Sequence, residues 1–213
     1  MHKKAEIESL IAQILDGTEL RLHVDSYTLE EDLETGAVTV NCRVHNQRTG
    51  EKQTISGHGV GIVDAFFAGM VDLYAGQFPS LKTIRFADFA LKADVNSGRG
   101  ARSDMAAEVS VRIANSEGKD YLFKHASPSI TRSALAVVLQ GVEFFINSER
   151  AFIAIYRALN HAREQNRTDS VERYTAQLAT LVEATSYSDV IDQIRTSELE
   201  RPAHKSAGSS PKK

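Results

Sequence analysis

Residues 38–44 read Val38-Thr39-Val40-Asn41-Cys42-Arg43-Val44, with an apolar side chain at every second position. Successive side chains of a β-strand point to opposite faces, so this alternation predicts a strand with one buried and one solvated face. The pattern returns in Val109-Ser110-Val111-Arg112-Ile113, and a shift of 69 residues superposes the two stretches in phase. A slip of one residue would move every side chain to the other face. The shared phase therefore indicates an internal repeat.

The same elements surround each copy of this strand. A strand is predicted before each copy, at residues 20–28 and 81–93. After the first copy come a turn at 46–50 and a third strand at 51–56, and after the second copy a turn at 115–118 and a third strand at 120–124. A helix with apolar residues at helical spacing then closes each repeat.

The two helix starts differ in composition. The first follows the glycine run Gly57-His58-Gly59-Val60-Gly61, and the second follows Ser127-Pro128-Ser129. Ser127 is predicted to be the N-cap of the second helix, with Pro128 in its first turn. The shift of 69 places Gly59 on Pro128 and Phe66 on Leu135.

These patterns predict an α+β fold of two pseudo-symmetric β-β-β-α units, each a sheet covered by helices on one face. Apolar residues at helical spacing add an N-terminal helix and a C-terminal helical extension. The expected domains are an N-terminal helix (1–17), the (βββα)2 domain (18–147), a helical extension (148–200) and a disordered tail (201–213), which is rich in Lys, Ser, Gly and Pro.

Composition narrows the class of protein. The 213 residues are 42% hydrophobic and 25% charged, with a net charge of −3, so a buried core is expected and a nucleic-acid partner is not. No apolar run reaches the roughly 18 residues that span a bilayer. Cys42 is the single cysteine, which excludes an internal disulfide and a cysteine-based zinc site. The N-terminus has no apolar signal core, and we expect a cytoplasmic protein without membrane contact.

Motifs for catalysis or metal binding are not found. The glycine run lacks the Walker A and Rossmann spacings, so it is either an anion-binding helix start or a tight turn, and spacing favours the turn. The seven histidines form no metal-ligand motif, although His58 and His125 precede the two helices. The serines and threonine at 127–133 have no nucleophile elbow beside them, and N-capping explains them better. No catalytic residue, metal site or cofactor is predicted.

Three segments support a family resemblance. They are Gly57-His58-Gly59-Val60-Gly61-Ile62-Val63-Asp64-Ala65-Phe66; Asp88-Phe89 through Ala93, with Ser103-Asp104-Met105-Ala106-Ala107-Glu108-Val109; and Ser127-Pro128-Ser129-Ile130-Thr131-Arg132-Ser133-Ala134-Leu135. In order and spacing they resemble the C-terminal regulatory domain of 2-isopropylmalate synthase, with its Gly-x-Gly-x-Gly, Asp-Tyr and Ala-Pro-Ser-Ile-Thr segments. The resemblance covers about residues 20–147.

The resemblance implies a dimer that binds leucine at its interface. Carried over by position, the ligand-binding residues would be Gly59, Gly61, Val63, Phe86, Phe89, Ala93, Ala107 and Ile130. Apolar side chains there would enclose a branched aliphatic group, and backbone N–H groups would meet its carboxylate. The basic segment Gly98–Arg102 is interpreted as a solvated turn, with an anion-contacting loop as the alternative.

The catalytic barrel of the synthase needs about 250 residues and does not fit in this chain. The resemblance therefore predicts a stand-alone sensing module without catalysis, a homodimer that could act on a separate catalytic synthase subunit. The alternative is a structural or protein-interaction module with a degenerate ligand pocket. An enzyme with a site on the turns at 57–61 and 125–129 is the least favoured hypothesis, because no nucleophile–base pair is visible.

Overall fold

The computed structural model describes residues 2–93, 106–185 and 187–199. Its elements are α1 (His2–Leu15), β1 (Leu22–Glu31), β2 (Val38–Asn46), β3 (Lys52–Gly59), α2 (Ile62–Tyr74), a 3-10 turn (Pro79–Thr83), β4 (Arg85–Ala93), β5 (Ala107–Ala114), β6 (Asp120–Ser127), α3 (Ile130–Glu164), α4 (Thr168–Leu181) and α5 (Ser188–Leu199). The strands form two antiparallel sheets with the orders β1-β2-β3 and β4-β5-β6. The predicted α+β fold of two β-β-β-α units with terminal helices is confirmed.

The two units correspond in detail, down to a β-bulge in each first strand. The register shifts between Val24 and Ser26 in β1, and between Phe86 and Asp88 in β4. A shift of 62 residues therefore superposes β1 on β4, whereas β2 superposes on β5 with the predicted shift of 69. The two shifts differ because the connection from β4 to β5 is longer than the connection from β1 to β2.

From β3 and β6 onwards, equivalent residues of the two units are 68 positions apart. The predicted shift of 69 is therefore wrong by one residue in this part of the chain. Val40 pairs with Gly57, and its counterpart Val109 pairs with His125. The reason is that the turn between β2 and β3 has one residue more than the turn between β5 and β6. Gly59 consequently corresponds to Ser127, and not to Pro128.

The start of α3 also differs from the prediction. Ser127 is the last residue of β6, and the N-cap is Ser129, whose side chain accepts a hydrogen bond from the backbone N–H of Arg132 at 3.2 Å. Proline disfavours a helical conformation in the residue before it, which keeps Ser127 extended. Gly61 caps α2 at the corresponding position.

The core lies between the sheets and the helices. α2 packs on β2 and β3, the first half of α3 packs on β5 and β6, and the two helices contact each other. The apolar faces predicted from the alternation are buried: Val38, Val40, Cys42 and Val44 in β2, and Val109, Val111 and Ile113 in β5. α1 closes the core from outside by packing on α3.

The C-terminal helices continue from the second unit without a break, because α3 crosses residue 147 as one helix of 35 residues. Its second half buries Phe152 and Ile155, and the Phe152 ring stacks on Tyr187 at a centroid distance of 4.3 Å. α4 returns along α3, and α5 packs on the 3-10 turn. The division of the chain at 147 stays a prediction.

The segment between α4 and α5 is attached to the β5–β6 hairpin. The Asn115 side chain donates to the carbonyl of Ala184 at 2.9 Å, and the Tyr121 hydroxyl donates to the carbonyl of Glu183. The Nζ of Lys119 lies 2.7 Å from a carboxylate oxygen of Glu183. The helical extension is thus fixed to the tip of one unit.

We expect Asn115→Ala to lower the free energy of unfolding by about 1–3 kcal/mol, because a buried carbonyl loses its donor. Asn46 is the matched control. Both side chains accept two backbone N–H groups of their own turn, but only Asn115 also bonds to the C-terminal segment. Urea unfolding measures the difference, and equal losses in Asn46→Ala and Asn115→Ala would contradict this role of the contact.

None of the helices in the described ranges combines the length and apolarity that crossing a bilayer requires. The predicted disordered tail at 201–213 and the basic segment Gly98–Arg102 lie outside the described residues.

Candidate functional site

The glycine run before α2 allows the end of β3 to lie directly on the helix backbone. A Cβ atom at Gly57 would lie 1.9 Å from the carbonyl oxygen of Ala65, and one at Gly59 would lie 2.4 Å from the Asp64 carboxylate. Gly61 has φ of +100°, a conformation that side chains disfavour. The positive φ of Gly61 agrees with the tight-turn interpretation. Gly57 and Gly59 lie in β3 without a positive φ, and close packing on α2 accounts for them.

The start of α2 already carries an anion of its own chain. The carboxylate of Asp64 accepts a hydrogen bond from the backbone N–H of Val60 at 3.0 Å. A negative charge in the first turn complements the helix dipole. Asp64 therefore occupies a position where an anionic ligand of α2 would have to bind. Val63, beside it, is half-buried and packs against the core.

The predicted site residues on β4 lie along an edge strand. Phe86 meets Phe67 of α2 edge-on, with ring centroids 4.7 Å apart. Phe89 is 50% exposed, although it pairs with the buried Val111 and so points to the core face of its sheet. Leu91 is exposed in the same way opposite Val109. The helices therefore leave part of this apolar face uncovered.

The first sheet has the same feature. Tyr27 and Leu29 of β1 are both 41% exposed, and they pair with the buried Cys42 and Val40. With the shift of 62, Tyr27 corresponds to Phe89 and Leu29 to Leu91. The edge-strand apolar patches are defined by these four residues, Tyr27 and Leu29 on β1 and Phe89 and Leu91 on β4.

The remaining predicted residues cluster near the start of α3. Ala93, of which only the backbone is described, pairs with Ala107, and the buried Ala107 pairs in turn with Ser127. Ile130 is the first residue of α3 and is half-exposed. The eight predicted residues thus lie at the β3–α2 junction, on the β4–β5 pair and at the start of α3. None of the eight lines any of five prominent grooves on the surface of the described residues.

The largest of those grooves was not predicted. It has a volume of about 720 Å³ and lies between β1 and α3, lined by Leu22, His23, Val24, Asp25, Ser26, Tyr27, His125, Ser129, Arg132, Leu135, Ala136, Leu139, Gln140 and Glu143. We call it the β1–α3 groove. The residues that line it are distant from one another in the sequence. With the correct repeat shift of 68, Arg132 is at the position that corresponds to Asp64 of the first unit.

Titratable groups mark both ends of the β1–α3 groove. At one end, Nδ1 of His125 lies 3.1 Å from the hydroxyl of Ser133. At the other end, the Glu143 carboxyl accepts the backbone N–H of Leu22 at 2.5 Å. Burial raises the pKa of Glu143 to about 7, against the smaller opposing effect of that hydrogen bond. Asp25 is paired with His45 at 2.7 Å.

A comparison with known families agrees with this geometry. The model described as the LeuA allosteric (dimerisation) domain matches residues 2–146. The chain belongs to the LeuA allosteric (dimerisation) domain family. The predicted resemblance is confirmed, and the match includes both β-β-β-α units and α1. No curated protein matches the chain.

The LeuA match identifies a regulatory and dimerisation domain, and no catalytic domain is matched. Self-association is the assembly that this family description indicates. The second half of α3, with α4 and α5, lies outside the matched residues.

Reactive groups are scarce in the described part of this LeuA-type domain. It contains no cluster of three or more His, Cys, Asp or Glu side chains arranged for a metal ion. Cys42 is buried, and burial raises the pKa of its thiol to about 11. A thiol with that pKa is almost entirely protonated at neutral pH and is a poor nucleophile.

Proposed function

We propose that this chain is a dimeric regulatory module that binds a branched-chain amino acid and performs no catalysis of its own. The observation that carries the proposal is the pair of edge-strand apolar patches, placed at equivalent positions of a domain whose family is allosteric and dimerising. Exposed apolar faces of this kind mark association surfaces. A second copy of the chain is the occupant proposed for them.

The ligand proposed for the module is leucine or a close analogue. Phe89 and Ile130 are half-exposed apolar side chains near the edge of the second unit, and a partner subunit would enclose them. The site residues implied by the resemblance, Gly59, Gly61, Val63, Phe86, Phe89, Ala93, Ala107 and Ile130, would line this interface. The regulated protein would be a separately encoded catalytic synthase subunit in the cytoplasm.

Two observations favour the alternative, a protein-interaction module with a degenerate pocket. Asp64 occupies the start of α2, and Phe67 and Phe86 fill the space between α2 and β4. Under this alternative the chain would still dimerise, but it would be indifferent to amino acids.

Two measurements test the proposal. Light scattering at tens of micromolar is expected to give the mass of a dimer, and a monomer would contradict it. Thermal unfolding with leucine, isoleucine, valine and their 2-oxo acids is expected to show a selective rise in Tm. A ligand at 100 times its Kd stabilises the folded state by about 2.7 kcal/mol. A dimer whose Tm no amino acid changes would favour the interaction module.

A further inference from the structure

The β1–α3 groove is open where its counterpart in the other unit is closed. The counterpart lies between β4 and α2, where Phe67 and Phe86 meet at 4.7 Å. At the corresponding positions the groove has Leu135 and Val24. Aliphatic side chains replace two aromatic rings, and about 720 Å³ remains unfilled. This volume lies within the range of small-molecule sites.

The charge at the helix start is also reversed. Arg132 of the groove corresponds to Asp64, whose carboxylate bonds to the backbone of its own turn. Arg132 is exposed, and none of the ion pairs among the described residues includes its guanidinium. The guanidinium offers several donors in the fork geometry that matches a carboxylate. This end of the groove therefore suits an anion, and the start of α2 does not.

The rest of the groove suits an apolar body. Leu135 and Leu139 of α3 and Val24 of β1 supply aliphatic walls. Glu143, at the far end, is eleven residues from Arg132 along α3, which corresponds to about 16 Å at 1.5 Å per residue. An organic acid of several carbons fits along this length.

We infer that the β1–α3 groove is a ligand site for an organic carboxylate with an aliphatic body, whose carboxylate pairs with Arg132. Only the ligand class rests on the proposed function, since the groove contains none of the eight residues that the resemblance implies. Tyr27 lines the groove and also belongs to an edge-strand apolar patch. A bound ligand would therefore adjoin the surface proposed for the second subunit.

The test is a titration followed by the backbone amide shifts of β1 and α3. The probes are leucine, 4-methyl-2-oxopentanoate, which lacks the ammonium, and 3-methylbutylamine, which lacks the carboxylate. Val24→Phe introduces the side chain that β4 carries at the corresponding position, and Arg132→Gln removes an exposed charge without affecting the core. Arg163→Gln is the matched control, since it removes an exposed arginine of α3 that lies outside the groove. Phe89→Ala is added because it changes the interface site that the proposed function implies.

We expect one or both carboxylates to shift these amides and the amine to leave them unchanged. Val24→Phe and Arg132→Gln should each weaken that binding at least tenfold, and Arg163→Gln by less than threefold. If both groove variants bind like the wild type while Phe89→Ala loses binding, the groove inference is overturned and amino-acid sensing stands. If no probe shifts any amide of the wild type, both the proposed amino-acid binding and the groove site are contradicted.

Discussion

Gly57→Ala is expected to lower the free energy of unfolding by about 3 kcal/mol or more, at the upper end of the cost of overpacking. The added methyl group would lie 1.9 Å from the carbonyl oxygen of Ala65 and 2.8 Å from the backbone nitrogen of Gly69. Both are backbone atoms of α2, so no side chain can rotate to make room. The helix would have to move away from β3, and the contacts of the buried Phe66 would be lost. Urea unfolding followed by circular dichroism measures the loss.

Gly76→Ala is the matched control. A Cβ atom there has nothing within 4 Å, and the residue does not need a positive φ. Its unfolding free energy should stay within about 0.5 kcal/mol of the wild type, as for most surface substitutions. Similar stabilities for Gly57→Ala and Gly76→Ala would refute close packing as the reason for the first glycine.

This glycine shows what the sequence could and could not predict. The run from Gly57 to Gly61 before an apolar helix indicated a turn with special backbone requirements. Spacing alone did not distinguish a positive φ from a close approach, and both occur: Gly61 has the positive φ, whereas Gly57 has the close approach. The distinction depends on how far β3 lies from α2, which is a tertiary quantity.

The strands were predictable because alternation reports directly on burial. The repeat shift was predictable only as far as that alternation extends, through Val44 and Ile113. Beyond it, one additional residue in the first hairpin changed the offset between equivalent residues from 69 to 68. The length of a turn cannot be read from the alternation of the strands on either side of it. The helix cap was missed for a related reason, since Ser127 and Ser129 are both good N-cap residues and the proline between them decides which one is used.

The candidate site was less predictable than the fold. The resemblance supplied eight residues, but exposure on β4 depends on how much of the sheet α2 and α3 cover. Phe89 and Val111 pair on the same face, and only Phe89 is exposed. The β1–α3 groove was missed because it joins β1 to residues of α3 more than 100 positions away.

The second large effect concerns assembly. Leu29→Lys with Leu91→Lys is expected to raise the dimer dissociation constant at least about 100-fold, which corresponds to about 2.8 kcal/mol. Both side chains lie on edge strands, in the surface proposed for the second subunit. A two-fold interface would bury each new charge twice without a partner. Sedimentation over a concentration series measures the dissociation constant.

The fold itself should tolerate these changes, because both leucines are more than two-fifths exposed and a lysine can extend into water. Val182→Lys is the matched control, since Val182 is 40% exposed but is the C-cap of α4, which packs on α3 and α1. Its dimer should dissociate like the wild type. A double variant that stays dimeric at the same concentrations would place the interface elsewhere. A double variant that dissociates but still unfolds at the Tm of the wild-type monomer would assign the apolar face of the edge strands to dimerisation. In that case the substitutions would have weakened association without destabilising the fold.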